Sequence, residues 1–407
     1  MMTEDTTANL ELMRELSRST PSKIVLIVLD GLGGLPDPET GKSEMETART
    51  PNLDRLAAEG ICGLSDPVSP GITPGSAPGH LALFGYDPVR GNVGRGVLET
   101  VGIDFDLKAG DVAARGNFCT VDAQGIITDR RAGRITTDRS TELCRILDGI
   151  KIDGAEVIVR PVKEHRFVAV FRGAGLKAEV SESDPQHTGM APRTIEALSP
   201  EAGRTAEIAN RFVAEAKKKL TECHPANMIL LRGFSQHPDL PPMSEIYHLD
   251  PAVIAVYPMY RGLAKLVGMK ALPAGNAFEE EFATLEKHYG EHDFFFLHLK
   301  GTDSAGEDGD FARKVSVLEE IDGLIPRVTA LKPDVIVVTG DHSTPALLKG
   351  HSWHPVPVML SGAYCRPDGV KAFNESACLA GGLGRLSARQ IMPLAMANAL
   401  KLDKFGA

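Results

Sequence analysis

Six residues with metal-binding side chains stand directly after apolar runs or within short turns of this sequence. They are four acids and two histidines: Asp30, Asp303, Glu307, Asp341, His342 and His351. Carboxylates and imidazoles in such settings hold divalent cations that polarise phosphoryl oxygens, and two ions together can clamp the attacking and the leaving oxygen. The six residues are therefore candidate ligands for divalent cations, and ions held in this way can activate a phosphoryl group.

A structural role explains each of these acids when it is taken alone. Asp30 can cap a turn, Asp303 can cap the helix that follows it, and Asp341 can begin a further helix. The set is harder to explain in this way, because three separate apolar strands lead to an acid and a His-Ser-x-His-Pro segment (351–355) lies nearby. For the set, metal binding is the better interpretation.

Three apolar runs position these acids. Residues 23–29 (KIVLIVL), 293–299 (DFFFLHL) and 334–339 (DVIVVT) each lead within a few residues to glycine and an acid, as buried parallel strands typically do. Apolar residues at helical spacing from Phe311 to about Ala330 predict a crossover helix between the last two strands. We therefore predict an α/β fold with a mainly parallel sheet, in which ligands gather where the carboxyl ends of the strands meet.

A serine stands in the glycine- and proline-rich turn TPGSAPGH (73–80), ahead of a short apolar segment. If a helix begins there, Ser76 lies near the positive end of its dipole. A serine hydroxyl becomes a nucleophile only when a base or a metal ion removes its proton, and the predicted metal centre provides that function. From this loop alone, the roles of nucleophile and helix N-cap are equally consistent with Ser76.

The middle of the chain has the pattern of a separate module. Residues 114–120 and 126–130 flank an Asp-Ala-Gln-Gly turn and predict a hairpin, whereas residues 207–220 predict a charged amphipathic helix. A glycine-rich and a proline-rich segment have the composition of its two connections. We predict a metal-binding core formed by residues 1–90 and 250–407, and a smaller α+β domain inserted at residues 91–249.

The composition limits the class of protein. A net charge of −10 argues against a general affinity for nucleic acid. The apolar runs fall far short of the roughly 20 residues that cross a bilayer. The six cysteines form no Cys-x-x-Cys pair, and the N-terminal stretch lacks the pattern of an export signal. We therefore expect a cytoplasmic protein without a membrane or nucleic-acid partner, and the sequence indicates no oligomeric state.

Motifs spread over nearly the whole chain match one family. They are LIVLDGLGG, ARTPNLDRLAAEG, GSAPGHLALFGYDP, IITDRRAGRI, EHRFVAV, KGTDSAGEDGD, VVTGDHSTP, HSWHPVP, and GGLGR with the terminal KFGA. In these motifs the chain resembles the cofactor-independent phosphoglycerate mutases of the shorter, archaeal type, within the alkaline phosphatase superfamily. The resemblance implies an alkaline-phosphatase-like core and the interconversion of 3-phosphoglycerate and 2-phosphoglycerate in glycolysis and gluconeogenesis, without a bisphosphoglycerate primer.

The resemblance also implies how the metal residues divide between two ions. One ion would be bound by Asp30, Ser76, Asp341 and His342, and the other by Asp303, Glu307 and His351. Ser76 would attack the substrate phosphate to give a phosphoserine and free glycerate, which is rephosphorylated on its other hydroxyl. The implied ions are divalent, with Mn²⁺ favoured over Mg²⁺, Co²⁺ and Zn²⁺.

The inserted domain would bind the phosphate and carboxylate groups of phosphoglycerate. Arginine suits this task because its planar guanidinium pairs with such groups through two hydrogen bonds. The positions that match the family are Arg130, Arg131, His165, Arg166, Asp184, His187, Arg232 and Arg261. The alternative for each of these arginines is a solvated surface charge, which is the commoner role of a lone arginine.

The chain departs from the family pattern in three places, which involve four residues. Glu307 stands where members usually carry histidine, and this change favours a hard cation such as Mn²⁺ or Mg²⁺ over Zn²⁺. Ala77 replaces a residue that is often acidic, and Trp353 with His354 replaces a small or acidic residue and an aspartate. The departures keep two alternatives open. One is a metal-dependent phosphomonoesterase or another phosphomutase of the superfamily, and the other is a catalytically silent protein that binds phosphorylated metabolites.

Overall fold

The computed structural model describes residues 5–89, 91 and 93–406. The chain forms two compact units, of which the core unit spans Met1–Asn92 and Leu240–Ala407 and the inserted unit spans Val93–Asp239. The sequence-based boundary after residue 90 adjoins Arg90 and Asn92, which lie outside the described residues, as does Ala407 of the KFGA motif.

The second boundary differs from the one expected at residue 249. The proline-rich segment after Asp239 belongs to the core unit, because it bonds to that unit. The Tyr86 hydroxyl donates to the carbonyl of Pro241 at 2.7 Å, and the Met243 amide donates to the carbonyl of Val267 at 2.9 Å.

Thirteen strands and fourteen helices follow one another along the described residues. The strands are β1 (Ile24–Leu29), β2 (Ile61–Asp66), β3 (Val112–Val121), β4 (Ile127–Asp129), β5 (Glu156–Lys163), β6 (Arg166–Arg172), β7 (Met228–Gln236), β8 (Pro251–Ala255), β9 (Lys270–Ala271), β10 (Phe294–Leu299), β11 (Val335–Thr339), β12 (Val356–Gly362) and β13 (Gly384–Ser387). The helices are α1 (Asp5–Leu16), α2 (Glu44–Thr47), α3 (Pro51–Glu59), α4 (Ser76–Leu83), α5 (Arg95–Gly102), α6 (Thr137–Asp148), α7 (Gly203–Leu220), α8 (Met243–Ile246), α9 (Pro258–Leu266), α10 (Phe278–His288), α11 (Gly301–Asp308), α12 (Phe311–Ala330), α13 (Glu375–Leu379) and α14 (Ile391–Asn398).

The core unit is built on an eight-stranded sheet in the order β13-β2-β12-β11-β1-β10-β8-β9. Strands β11, β1, β10, β8 and β9 run parallel, whereas β12 is antiparallel to both of its neighbours. The three strands predicted from apolar runs are therefore confirmed as adjacent parallel strands, with β1 between the other two. The crossover helix predicted between β10 and β11 is confirmed as α12.

Both faces of this sheet are covered, as the continuous apolar runs predict. Val25 and Ile27 of β1 belong to one buried cluster with Leu318 of α12. On the other face, the Phe84 ring beyond α4 packs edge-on against Phe296 of β10, with the ring centroids 4.9 Å apart. Burying a side chain of this size stabilises the fold by about 1.5–3 kcal/mol, so the sheet gives its strand ends a rigid base.

The inserted unit contains a five-stranded antiparallel sheet in which β3 pairs with β4, β6 and β7. The predicted hairpin is confirmed as β3 and β4, and the predicted amphipathic helix is α7, which begins at Gly203 after a short 3₁₀ turn. One face of this sheet packs in an apolar cluster that includes Phe118, Phe167 and Phe212. Because side chains alternate along a strand, polar residues of β3 lie on the opposite face.

Candidate active site

The parallel strands of the core unit carry three acids to one edge of the sheet. In the registers of the β1–β10 and β1–β11 pairs, Leu29 lies beside Leu299 and Val28 lies beside Thr339, so the three strands end at nearly the same level. Asp30 follows β1, Asp341 follows β11 and Asp303 stands in the first turn of α11, beyond β10. All three side chains are buried.

The first cluster of metal-binding side chains comprises Asp30, Asp341 and His342, whose ligand atoms lie within 4.8 Å of one another. His342 Nε2 is 3.2 Å from a carboxylate oxygen of each acid. The Ser76 hydroxyl lies 3.3 Å from the same nitrogen. Ser76 is the first residue of α4 and Gly75 is the N-cap, so the structure excludes the alternative in which Ser76 is the cap.

The second cluster comprises Asp303, His342 and His351, and it shares His342 with the first. The two imidazole rings stack with their centroids 3.6 Å apart. His351 Nδ1 lies 2.9 Å from the carbonyl oxygen of Pro74, which accepts the proton of that nitrogen and leaves Nε2 facing the acids. No helix begins at Asp341 among the described residues, so the alternative of a helix start there is wrong.

Two of the residues that depart from the family pattern, Glu307 and His354, do not belong to this cluster. Glu307 Oε1 is 4.0 Å from His351 Nε2, and the Glu307 side chain is 55% exposed. His354 accepts or donates a hydrogen bond at the Ser352 hydroxyl, 3.0 Å away, and its ring stacks on the exposed Trp353.

The residues of both clusters fit divalent cations. Asp30 Oδ1 and Asp341 Oδ2 are buried, and the groups that approach them at 3.2 Å are imidazole nitrogens, His342 Nε2 for both oxygens and His80 Nδ1 for Asp341. Because burying a carboxylate whose charge is not compensated costs several kcal/mol, these oxygens favour a bound positive charge. Lys300 provides part of it, since its ammonium lies 3.0 Å from Asp30 Oδ2 and 2.5 Å from Asp303 Oδ2. Burial opposes the charge on Lys300, but the two carboxylates raise its pKa above the usual value.

The hydrogen bonds of His342 fix the nitrogen that faces the ions. The Thr344 hydroxyl donates to Asp303 Oδ1 at 2.8 Å and lies 2.9 Å from His342 Nδ1, so it accepts the proton on Nδ1. Nε2 therefore faces Ser76 and the first cluster. Burial lowers the pKa of His342, but the neighbouring carboxylates of Asp341 and Asp30 raise it to about 9. A cation that binds at Nε2 must displace the proton held there.

Several residues around the clusters were not singled out from the sequence. His298 Nε2 is 3.2 Å from Asp30 Oδ2, and His80 Nδ1 is 3.2 Å from Asp341 Oδ2, with both imidazoles buried. Lys300 and Thr344, which contact the acids and His342, are two further residues of this kind. His298 stands in the otherwise apolar strand β10. A polar residue in such a strand is usually buried beside a polar partner, so this pattern could have identified His298 from the sequence.

The inserted unit gathers several of the expected substrate-binding residues on the polar face of its sheet. Arg130 makes two hydrogen bonds to Asp184, at 3.0 and 2.6 Å, and Arg232 lies 3.8 Å from the same carboxylate. The Asp184 side chain is fully buried. The charge of Arg130 outweighs burial and lowers the pKa of Asp184, so this acid holds the arginines in place as an anion.

The polar face carries an excess of positive charge. Arg115 of β3 pairs across the sheet with Arg232, and its neighbour Asn117 pairs with Arg166. Burial lowers the pKa of Arg115 to about 10, with Arg166 and Arg232 acting in the same direction and Glu99 opposing them. Burial and the charge of Arg166 likewise lower the pKa of His165 to about 4. Such a face favours an anionic ligand.

The remaining predicted substrate residues stand outside the strands of both sheets. Arg131 and His187 are exposed in loops of the inserted unit, and Arg261 lies half-buried on α9 of the core unit. Arg115 was missed from the sequence, although its alternation with Asn117 along β3 marks a polar face. No helix in the described part of the chain combines the length and the apolar composition of a membrane-crossing segment.

Comparison with known proteins relates these residues to one family. The family model described as 2,3-bisphosphoglycerate-independent phosphoglycerate mutase matches residues 57–227. A Thermus thermophilus protein named "Probable 2,3-bisphosphoglycerate-independent phosphoglycerate mutase" is 49% identical over 400 residues, which cover 97% of this chain and 98% of the relative. An Aquifex aeolicus protein of the same name is 48% identical over 409 residues, covering 98% of this chain and 100% of the relative.

Two solved structures have the same fold. The cofactor-independent phosphoglycerate mutase of Thermoplasma acidophilum aligns with a TM-score of 0.76 and 30% identity, covering 93% of this chain and 100% of its own. The PH0037 protein of Pyrococcus horikoshii aligns with a TM-score of 0.82 and 30% identity, covering 95% and 99%. The predicted α/β core with a mainly parallel sheet is confirmed. The chain belongs to the family of 2,3-bisphosphoglycerate-independent phosphoglycerate mutases.

Proposed function

We propose that this protein interconverts 3-phosphoglycerate and 2-phosphoglycerate through a phosphoserine at Ser76. The observation that carries the proposal is the position of the Ser76 hydroxyl, at the start of α4 and 3.3 Å from His342 Nε2 in the first cluster. The amides in the first turn of a helix favour an anion beside them, so a phosphate bound at Ser76 lies in a favourable field.

Two divalent cations would be held by the residues of the two clusters. Asp30, Asp341 and His342 with Ser76 would hold one, and Asp303 and His351, with Glu307, would hold the other. When bound, such ions lower the pKa of a coordinated hydroxyl and neutralise charge on phosphoryl oxygens. We propose Mn²⁺, because the donors are mainly carboxylate oxygens and imidazoles, and Glu307 adds an anionic oxygen in place of a neutral nitrogen.

The chain's own residues would divide the remaining work. Ser76 Oγ loses its proton and forms the bond to phosphorus as the bond from phosphorus to the substrate oxygen breaks, and that oxygen takes up a proton. In the second transfer the other hydroxyl of glycerate loses its proton and attacks phosphorus, and the bond to Ser76 Oγ breaks. Lys300, between Asp30 and Asp303, adds a fixed positive charge beside the reacting group. Arg130, Arg232 and their neighbours would retain glycerate between the two transfers, through its carboxylate.

The proposal is tested with purified protein and Mn²⁺. We expect conversion of 3-phosphoglycerate to 2-phosphoglycerate without added bisphosphoglycerate, with little release of inorganic phosphate. Absence of isomerisation with Mn²⁺, Mg²⁺, Co²⁺ and Zn²⁺ in turn would reject it. The control is the same preparation after chelation of the metal and after its return.

A second candidate function is hydrolysis of a phosphomonoester. It is favoured by one observation: Glu307, where the family pattern has histidine, is more than half exposed and 4.0 Å from His351. A looser second cation would give water access to the phosphoserine. Phosphate release equal to substrate loss would select this function over the mutase.

A further inference from the structure

A lysine outside both clusters is buried behind them. Lys314 of α12 is 0% exposed. Its ammonium donates to three backbone carbonyls, those of Gly31 at 2.9 Å, Gly33 at 3.0 Å and Thr344 at 2.9 Å. An ammonium has three donors, so all of them are used here on backbone oxygens.

The three carbonyls belong to the two loops that carry the ligands of the first cluster. Gly31 follows Asp30 directly, and Thr344 stands two residues after His342. The Thr344 amide also reaches the carbonyls of Gly31 and Gly33, at 3.3 and 3.1 Å. Lys314 therefore joins the loops after β1 and β11 at the point where they already touch.

The loops approach so closely that only small residues fit between them. A Cβ added to Gly33 would lie 2.0 Å from the Ser343 hydroxyl, and one added to Gly31 would lie 2.5 Å from the Thr344 hydroxyl. Such an approach directs carbonyl dipoles at one another, which is unfavourable unless a donor with positive charge lies between them. The ammonium of Lys314 lies at that position.

An acid on a third segment balances this charge. Glu44 Oε1 lies 4.0 Å from the Lys314 ammonium and accepts the amide of Ala346 at 2.8 Å, so it too contacts the loop after β11. Glu375 accepts the amide of Gly34 at 2.7 Å and thereby holds the other end of the loop after β1. Both loops are thus fixed from α12, α2 and α13, which are parts of the packed core.

We propose that Lys314 is a positioning residue for the metal centre, setting the distance between Asp30 on one loop and Asp341 and His342 on the other. The inference rests on the proposed function, because it assumes that these side chains bind cations. The ammonium of Lys314 is bonded to backbone carbonyls, and Lys314 is not one of the proposed ligands. Outer groups that orient metal ligands typically contribute 10- to 100-fold to metal affinity, so a loss of about that size is expected when Lys314 is removed.

Replacement of Lys314 by methionine is the direct test, because methionine has a similar length and no donor. A second buried lysine provides a matched control. Lys401 is also 0% exposed and donates to the Thr20 carbonyl and to Asp293, each at 2.9 Å, but contacts neither ligand loop. Metal-free wild type, Lys314→Met and Lys401→Met are titrated with Mn²⁺, and free and bound ion are measured by electron paramagnetic resonance. Circular dichroism establishes that each variant is folded.

We expect Lys314→Met to weaken Mn²⁺ binding by about tenfold or more and to alter the spectrum of the bound ion, with Lys401→Met within twofold of wild type. Equal affinity of wild type and Lys314→Met, or an equal loss in both variants, would overturn the inference. If Lys314→Met does not fold, Lys314→Gln replaces it in the same test. The glutamine amide can still donate hydrogen bonds, but the side chain is too short to reach all three carbonyls. A wild type that binds no Mn²⁺ would instead reject the proposed function.

Discussion

Two buried histidines, one in each unit, lie in opposite electrostatic surroundings. The acids around His342 overcome the effect of burial and raise its pKa to about 9, whereas burial and the charge of Arg166 lower the pKa of His165 to about 4. The cluster in the core unit therefore favours cations, and the polar face of the inserted unit favours anions. The proposed function uses this division of charge, with metal ions in the core unit for phosphate and arginines in the inserted unit for carboxylate.

The two regions are also constructed differently. The acids of the core unit are held by backbone, since each follows a buried strand and their loops meet at glycines. The arginines of the inserted unit are held by side chains, and two of them lie against the single carboxylate of Asp184. The metal region should therefore respond to changes in backbone packing, and the arginine region to loss of one charge.

The largest expected effect is that of Ser76→Ala. Removal of the only proposed nucleophile should lower isomerisation by about 10⁴-fold or more, as removal of an attacking serine does in other enzymes. Mn²⁺ binding at Asp303 and His351 should persist, since neither residue depends on this hydroxyl. Turnover is measured with 3-phosphoglycerate, and metal binding by titration. Retained turnover would place the nucleophile elsewhere and break the assignment of the chemistry to the core cluster.

Asp184→Asn should change substrate binding without changing metal binding. The change leaves Arg130 without its charged partner and frees it to move, so we expect KM for phosphoglycerate to rise by about tenfold or more. Affinity for Mn²⁺ should remain that of wild type, because Asp184 belongs to the other unit. Steady-state kinetics and metal titration on one preparation give both values. A parallel loss of metal affinity would contradict the division of roles.

Gly306→Ala tests the dependence of the metal region on backbone packing. A Cβ at Gly306 would lie 2.1 Å from the Thr344 carbonyl, so α11 or the loop after β11 must shift. We expect the free energy of unfolding to fall by about 1–3 kcal/mol and Mn²⁺ affinity to weaken. Gly323→Ala on α12 is the control, because nothing lies within 4 Å of its added Cβ and the change favours the helix. Urea unfolding of both variants measures the difference, and equal stability of the two would be the contrary result.

Glu307→His sharpens the description of the second cluster. If the carboxylate ligates, the new imidazole should shift the preference from Mn²⁺ towards Zn²⁺ by several-fold. Competition between the two ions measures the ratio. An unchanged ratio would place residue 307 outside the shell of ligands, in keeping with its exposed side chain.

The last expected effect concerns pH and His165, and it appears only at acidic pH. Its folded pKa of about 4 lies below the usual value of about 6.5, so between these pH values the unfolded chain binds the extra proton. Stability due to this residue is therefore lost as the pH falls from 6.5 to 4. His165→Gln should flatten the dependence of the unfolding free energy on pH in that window. Urea unfolding at a series of pH values measures the slope, and a slope like that of wild type would show that neither burial nor the arginines perturb the pKa of His165.

The sequence was sufficient for the strands and for the acids at their ends, because continuous apolar runs that stop at glycine and an acid have a local cause. Asp30 and Asp341 needed only the register of parallel strands to come together. The same local patterns placed α12 within its observed bounds, Phe311–Ala330. The exit from the inserted unit was less well predicted, because proline-rich composition does not reveal which unit the segment bonds to.

The partners of these acids could not be predicted, because their roles arise from contacts between distant parts of the chain. Lys300 has the sequence setting of a surface lysine, yet it lies between two carboxylates. Lys314 stands on the same face of α12 as the apolar residues Leu318 and Ile321. A lysine on an apolar helix face is expected to be buried, so its burial could be predicted from the sequence. Which oxygens would meet its ammonium depended on the folding of both ligand loops.

The close meeting of the two loops restricts how sequences in this family can diverge. At Gly31, Gly33 and Gly306 even a methyl group would collide with Ser343 or Thr344, and Gly31 also has a positive φ of 66°. Substitution of any one of these glycines requires a compensating change in the opposing loop, which a single substitution does not provide. We therefore expect glycine at these positions in relatives that bind the two proposed metal ions. Relatives with other residues at these positions should lack the phosphoryl-transfer activity.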